Sequence, residues 1–164
     1  MPKTKALAPK AVRDSQSEIT QVVLPNDANP LGNILGGMVM HLVDMVAGIA
    51  AHRHARSYVV TASVDHMDFR CPIRVGEFII LKASVNRAFR TSMEVGVKVF
   101  REENLTNRRQ HTSSAYLTFV AIDETGKPKS VPGIVPKTPE EKRRYREAGQ
   151  RRQGRLRHRG RNLG

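Results

Sequence analysis

Gly36-Gly37-Met38-Val39-Met40-His41-Leu42-Val43-Asp44-Met45-Val46-Ala47-Gly48-Ile49-Ala50-Ala51 places apolar side chains at Val39, Leu42, Val43, Val46, Ala47 and Ala50, which lie 3, 4, 7, 8 and 11 residues from the first. That period is helical and gives one buried stripe. At about 100° per residue a second face collects Gly37, Met40, Asp44, Gly48 and Ala51. Two such faces predict a helix enclosed on most sides. Upstream, residues 18–24 have the β-branched content of a short strand, and Pro25-Asn26-Asp27-Ala28-Asn29-Pro30-Leu31-Gly32-Asn33 is a dense run of turn formers.

Downstream the period changes to two. Residues 58–69 read as a strand stopped by Arg70-Cys71-Pro72, because proline does not extend a central strand. Residues 78–85 alternate Ile79, Leu81, Ala83 and Val85 with Lys82 and Ser84, and residues 92–100 alternate Met93, Val95, Val97 and Val99 with Glu94, Gly96 and Lys98. A last strand over 110–122 ends at the turn Asp123-Glu124-Thr125-Gly126-Lys127-Pro128. One long helix and a run of strands on short connections predict an α+β domain, an antiparallel sheet with the helix on one face. A single helix covers only part of five strands, so the uncovered edge and helix face call for a homodimer at least.

The chain has 164 residues, 39% of them apolar, which fits one domain with a core. Its net charge of +13 comes from 28 Lys and Arg against 15 Asp and Glu. Residues 137–164 carry 11 basic and 3 acidic residues and residues 1–17 carry 4 and 1, leaving 13 against 11 for 18–136. The basic balance therefore belongs to the ends: a flexible basic leader over 1–17, the folded domain over 18–136, and a basic tail over 137–164. The tail is expected to open as a helix at Thr138-Pro139 and to be disordered in its Arg/Gly/Gln-rich last part. A single cysteine, Cys71, excludes an internal disulfide and fits a reducing compartment, with the cytoplasm as the expectation. No apolar run reaches the roughly 18–20 residues that span a bilayer, and no apolar stretch follows the basic N-terminus to make a secretory signal.

Nucleotide-binding glycine loops, a Gly-x-Ser-x-Gly elbow and a His-Glu-x-x-His pair are all missing, and the six histidines show no ligand spacing, so no metal site is expected. The unusual feature is Asp44, an acid inside an apolar helix, seven residues and two turns from Gly37 on the same face. Backbone N–H groups at a glycine-started helix lack intrahelical partners and sit at the positive end of its dipole, so they suit a developing oxyanion beside a carboxylate that activates water. The competing account makes Asp44 a hydrogen-bonded acid at a subunit interface and the glycines a packing device. Asn29 and Asn33 are likewise either turn residues or amides that reach the pocket.

Residues 25–37, with Met40, Leu42-Val43-Asp44-Met45-Val46-Ala47-Gly48, then Val60-Thr61-Ala62-Ser63-Val64-Asp65, Phe69 and Pro72, resemble the hot-dog-fold acyl-CoA thioesterases of the cytosolic acyl-CoA hydrolase type. The resemblance runs over residues 18–132. It implies a curved antiparallel sheet wrapped around one long central helix, assembled as dimers and often as trimers of dimers, and an acyl-CoA substrate with no separate cofactor. It also implies that Asp44 is the general base or nucleophile, that Asn29 works with an aspartate of the neighbouring subunit, and that the Gly37 N–H polarises the thioester carbonyl. Where many relatives carry histidine before the glycine pair, Leu35 stands here, a difference bearing on substrate fit.

For the phosphates of coenzyme A the resemblance points to the turn Arg87-Ala88-Phe89-Arg90-Thr91-Ser92, hence Arg90, Thr91 and Ser92, with Arg70 and Arg74 after the strand that lines the site. Solvated surface charge is the plain alternative for each arginine. A second functional reading is a non-catalytic acyl-CoA-binding scaffold whose basic tail holds nucleic acid. With only Tyr145 available for stacking in the tail, that reading is the less favoured one.

Overall fold

The computed structural model describes residues 6–161. The chain runs β1 (Lys10–Ala11), β2 (Ser17–Val22), α1 (Gly36–Ala55), β3 (Tyr58–Val64), β4 (Phe78–Ala88), β5 (Ser92–Glu102), β6 (Arg109–Ile122), β7 (Ile134–Val135) and α2 (Pro139–Arg161). Five strands form one antiparallel sheet in the order β2-β4-β5-β6-β3. The long central strands follow from the alternation read above. Ile79, Leu81, Ala83, Val85, Met93, Val95, Val97 and Val99 all enter the core, while Lys82, Ser84, Glu94, Gly96 and Lys98 face the other side.

The sheet curls around α1, which touches all five of its strands. Val39, Leu42, Val43, Val46, Ala47, Ala50 and Ala51 are buried there, the stripe the spacing predicts plus one residue. Arg56, in the left-handed region at φ 49°, ends the helix with its N–H on His52 O. The second helix face differs from expectation: Gly37, Met40 and Asp44 are exposed, as are Met45 and Ile49 beside them, because nothing among the described residues packs against them, while Gly48 is half-buried and Ala51 buried. No helix among the described residues is long and apolar enough to cross a membrane.

Both ends depart from their sequence reading. The leader is structured from Lys10 on: β1 pairs with β7, Val12 is buried, and the Ser15 hydroxyl accepts the Val85 N–H at the β4 bulge. Short stretches can be ordered by one buried side chain and one filled backbone bond without any periodicity to announce them. Residues 1–5 of that leader and 162–164 of the tail lie outside the described residues. Elsewhere the tail is helical to Arg161, across the stretch expected to be disordered, because its arginines meet acids on the sheet. A capping box opens α2, with Thr138 Oγ1 accepting the Glu141 N–H and Glu141 Oε2 accepting the Thr138 N–H. Arg143–Glu147 and Arg144–Glu140 then support its first turns at i,i+4 spacing.

α2 lies on the outer sheet face, opposite α1. There Glu94 is fully buried and holds Arg151 at 2.7 Å, with the Asn86 amide and Arg155 also on its oxygens. Arg155 also reaches Asp65, just beyond β3, at 2.9 Å. The Arg151 guanidinium stacks on Tyr116 with its carbon 3.6 Å from the ring centre.

Candidate active site

The turn-rich loop before α1 is built around Asn29. Its Oδ1 accepts the Leu31 and Asn33 N–H groups, and its backbone N–H donates to Asn33 O. The two sequence accounts of this residue are therefore compatible. The oxygen closes the turn, and the amide N–H₂ has no protein acceptor among the described residues. Leu35 N–H donates to Asp27 O and Ile34 N–H to Ile73 O, which fixes where the helix begins.

Leu35 is the N-cap and brings no side-chain oxygen to the first turn. The N–H groups of Gly36 and Gly37 accordingly find no acceptor among the described residues, at the positive end of a 20-residue helix. Space above Gly37 is open, with nothing within 4 Å of where a Cβ would stand. Gly36 instead lies under the Phe69 ring, whose atoms approach that point to 3.5 Å. A cavity of about 410 Å³ opens beside this helix start, lined by Asn29, Gly36, Val39, Phe69, Arg70 and Cys71 among others.

Asp44 sits about 10 Å further along α1 than Gly37 by helix rise. Its carboxylate is exposed and accepts a 2.7 Å hydrogen bond from the Thr61 hydroxyl on β3. Thr61 is a partner of Asp44 that the sequence reading leaves unassigned. It stands in an ordinary β-branched run, and only the β3 bulge between Thr61 and Ser63 shows that this strand re-aims a side chain. Asp44 does not line the cavity that holds Asn29.

The structure also divides the cations assigned to phosphate. Arg70 is in the Asn29 cavity, its N–H on Thr112 O. Arg90, Thr91 and Ser92 form the β4–β5 turn beside Val120, since Ser92 pairs with that residue. Thr112 and Val120 are eight residues apart on β6, about 27 Å at strand rise, so one chain does not bring the two groups together. The turn is on the Asp44 side: Met93 pairs with Phe119 and Phe119 with Thr61, which places Thr61 about 10 Å across the sheet from Met93.

Residues 31–107 match the family described as Thioesterase superfamily. Acyl-coenzyme A thioesterase 11 of Mus musculus is 44% identical over 141 residues, 85% of this chain, but this chain spans only 24% of that protein. A hexameric acyl-CoA thioesterase solved in its apo form is 43% identical, with a TM-score of 0.89 over 93% of this chain and 97% of that one. An acyl-CoA hydrolase from Staphylococcus aureus, in complex with butyryl coenzyme A, coenzyme A and coenzyme A disulfide, is 38% identical, with a TM-score of 0.87 over 94% of each chain. Alanine variants of that hydrolase at one asparagine, one aspartate and one threonine are also structural matches. Those three residues are separated by 15 and 17 positions, as Asn29, Asp44 and Thr61 are here. With its fold shared at this identity over more than nine-tenths of both solved chains, the protein belongs to the thioesterase superfamily and has the hot-dog fold.

Proposed function

We propose that this protein hydrolyses acyl-CoA thioesters to a free fatty acid and coenzyme A. One observation carries the reading: α1 presents both a carboxylate, Asp44, oriented by Thr61, and at its start the backbone N–H groups of Gly36 and Gly37, which have no acceptor among the described residues. Asp44 as general base takes a proton from water, whose oxygen attacks the acyl carbon. Carbonyl charge then rests on the Gly37 N–H of the copy that supplies Asn29, since Gly37 and Asp44 of one chain stand about 10 Å apart. The C–S bond breaks, and the thiolate leaves with the proton that Asp44 returns. In the nucleophile variant the carboxylate itself attacks, and water cleaves the resulting anhydride. A thioester carbonyl is weakly resonance-stabilised and a thiolate leaves readily, so one base and one oxyanion donor suffice without a cofactor.

The Thr61 hydroxyl engages Oδ1 and leaves Oδ2 for the reaction, a positioning role. Asn29 offers its free amide hydrogens to the water or carbonyl. Because Asn29 and Asp44 do not share a cavity within one chain, the complete site takes them from different copies. The exposed apolar residues Met40, Met45 and Ile49 on α1, and Tyr58, Val60 and Val64 on the edge strand β3, form the surface for that second copy. A trimer of such dimers is the expected assembly; one structural neighbour is itself hexameric. A cytoplasmic location fits the lone cysteine. In the scaffold alternative Arg151 and Arg155, engaged by Glu94 and Asp65, would not be among the tail residues that hold nucleic acid.

Thiol release from acetyl-, hexanoyl- and palmitoyl-CoA, with Asp44→Ala and Asp44→Asn beside the wild type, tests the proposal. The expectation is turnover by the wild type and a fall of about 10³-fold or more in both variants. Correctly assembled variants within about threefold of the wild type would remove Asp44 from the chemistry.

A further inference from the structure

The segment that joins β3 to β4 roofs the start of α1, and its two ends are fastened unequally. Residues 66–69 make no backbone–backbone hydrogen bond among the described residues, so their course is set by what holds either side. On the far side the ties are many. Arg70 N–H donates to Thr112 O, Gln110 Nε2 to Cys71 Sγ and Arg101 to Pro72 O, while Ile34 N–H donates to Ile73 O. On the near side there are two: Asp65 N–H donates to Tyr116 O, and the Asp65 carboxylate takes Arg155 Nη1 at 2.9 Å. Side-chain exposure is 22% for Arg155 and 23% for Asp65, so the pair is shielded from water more than a surface ion pair. Arg155 is itself held from the other direction. It lies one turn after Arg151 on α2, and Arg151 is fixed by the buried Glu94, on which Arg155 also rests at 3.4 Å.

What the segment carries is the Phe69 ring. Its atoms come within 3.5 Å of where a Gly36 Cβ would stand, and Phe69 lines the same cavity as Asn29 and Arg70. A ring there keeps water off one side of the helix start, and N–H groups shielded from water hold a developing negative charge more strongly. We propose that Arg155 is a positioning residue of the active site: through Asp65 it fixes residues 65–69 and so keeps the Phe69 ring over the first turn of α1. The role rests on the acyl-CoA reading above, and it acts on the half-site that holds Asn29 and Gly37. The C-terminal helix thereby sets the geometry of a cavity that none of its own residues lines within one chain.

Arg155→Met and Asp65→Ala, made in the full chain, break the pair from opposite sides. The second leaves Asn86, Arg151 and Arg155 on Glu94, so a loss common to both variants does not come from the buried acid. For hexanoyl-CoA, kcat is expected to fall about 5- to 20-fold in each with KM within about twofold, because small misplacements in a site act on the rate at this scale. The double variant should be no slower than either single one, and Arg155→Lys, which still reaches one carboxylate oxygen, should recover most of the rate. Adding Arg155→Met to Phe69→Ala should bring no further loss. A readout free of turnover is the thiol of Cys71, the one cysteine of the chain, in the same segment. Its labelling by dithionitrobenzoate should quicken about threefold or more when the pair is broken, and not in Arg157→Met, an exposed position on the same helix. Labelling and kcat both within about twofold of the wild type in the two variants, or a full further loss of rate on the Phe69→Ala background, overturns the proposal. Faster labelling with unchanged kcat also overturns it, since the segment then moves without consequence for the site. In a wild type that cleaves no thioester, labelling that depends on Arg155 upholds the anchor and sinks the hydrolase reading alone.

Discussion

Thr61 Oγ1 donates a 2.7 Å hydrogen bond to Asp44 Oδ1, tying the edge strand of the sheet to the outward face of the helix it surrounds. The bond restricts the carboxylate to one orientation. Thr61→Val keeps the strand's β-branched shape and deletes only the hydroxyl. We expect kcat to fall about 3- to 30-fold with KM nearly unchanged, a range set by a charge-assisted hydrogen bond at an exposed position. Thr61→Ser should recover most of the rate. Steady-state kinetics on hexanoyl-CoA reads both, and equal rates for the valine and serine variants would deny the hydroxyl a role.

The oxyanion role of Gly37 separates backbone from side chain. Gly37→Ala keeps the N–H and fills open space, so activity should stay within about threefold of wild type. Gly37→Pro removes that N–H in the first helical turn, where proline is tolerated, and kcat should drop about 10²-fold or more. Circular dichroism establishes that α1 survives in each. Comparable activity in the two variants would move the oxyanion donor elsewhere.

Glu94 has no exposure, and its best cation comes from α2. Arg151→Met strands a buried carboxylate and is expected to destabilise the fold by about 2–4 kcal/mol, less than the full loss of a buried pair because Asn86 and Arg155 remain on Glu94. Glu94→Gln together with Arg151→Met should recover part of that loss. Urea unfolding midpoints measure it, and a double variant no better than Arg151→Met alone would show that the buried charge is not the cause.

His54 is buried, its Nε2–H donating to Pro132 O at 2.7 Å, while Nδ1 has no partner among the described residues. Burial lowers its pKa below the ordinary value, and the nearby Lys10 charge adds to that, against the raising influence of the Pro132 bond and Asp14. In the unfolded chain the imidazole protonates near its ordinary pKa of about 6.5. Between the folded and unfolded values the unfolded state therefore binds more protons, and stability rises with pH. This contribution is present above about pH 6.5 and is lost as pH falls toward the folded value. Melting temperatures between pH 7.5 and 5 should decline, less steeply in His54→Gln. Parallel slopes would place the titrating group elsewhere.

The fold was legible in the sequence because helix and strands each bury one face. The period of Val39 to Ala50 and the alternation of Ile79 to Val85 name the core directly. Asp44 stood out as an acid within an apolar run, and the glycine pair marked a helix start. Thr61 did not stand out, because a threonine in a strand is ordinary and its importance depends on a bulge. The order in the two ends was hidden for a different reason. Ser15 and Arg151 act through partners 70 and 57 residues away, contacts that no local pattern carries. The same long-range dependence splits Arg70 from Arg90, which the resemblance had grouped as phosphate contacts.

Glu94 is added to the chain 57 residues before Arg151. Until Arg151 is added, the outer side of the sheet carries an acid without its best cation. Growth of α2 past Arg151 is thus the step that covers this acid. A chain stopped near residue 150 would hold almost all of the core and leave Glu94 without Arg151 or Arg155.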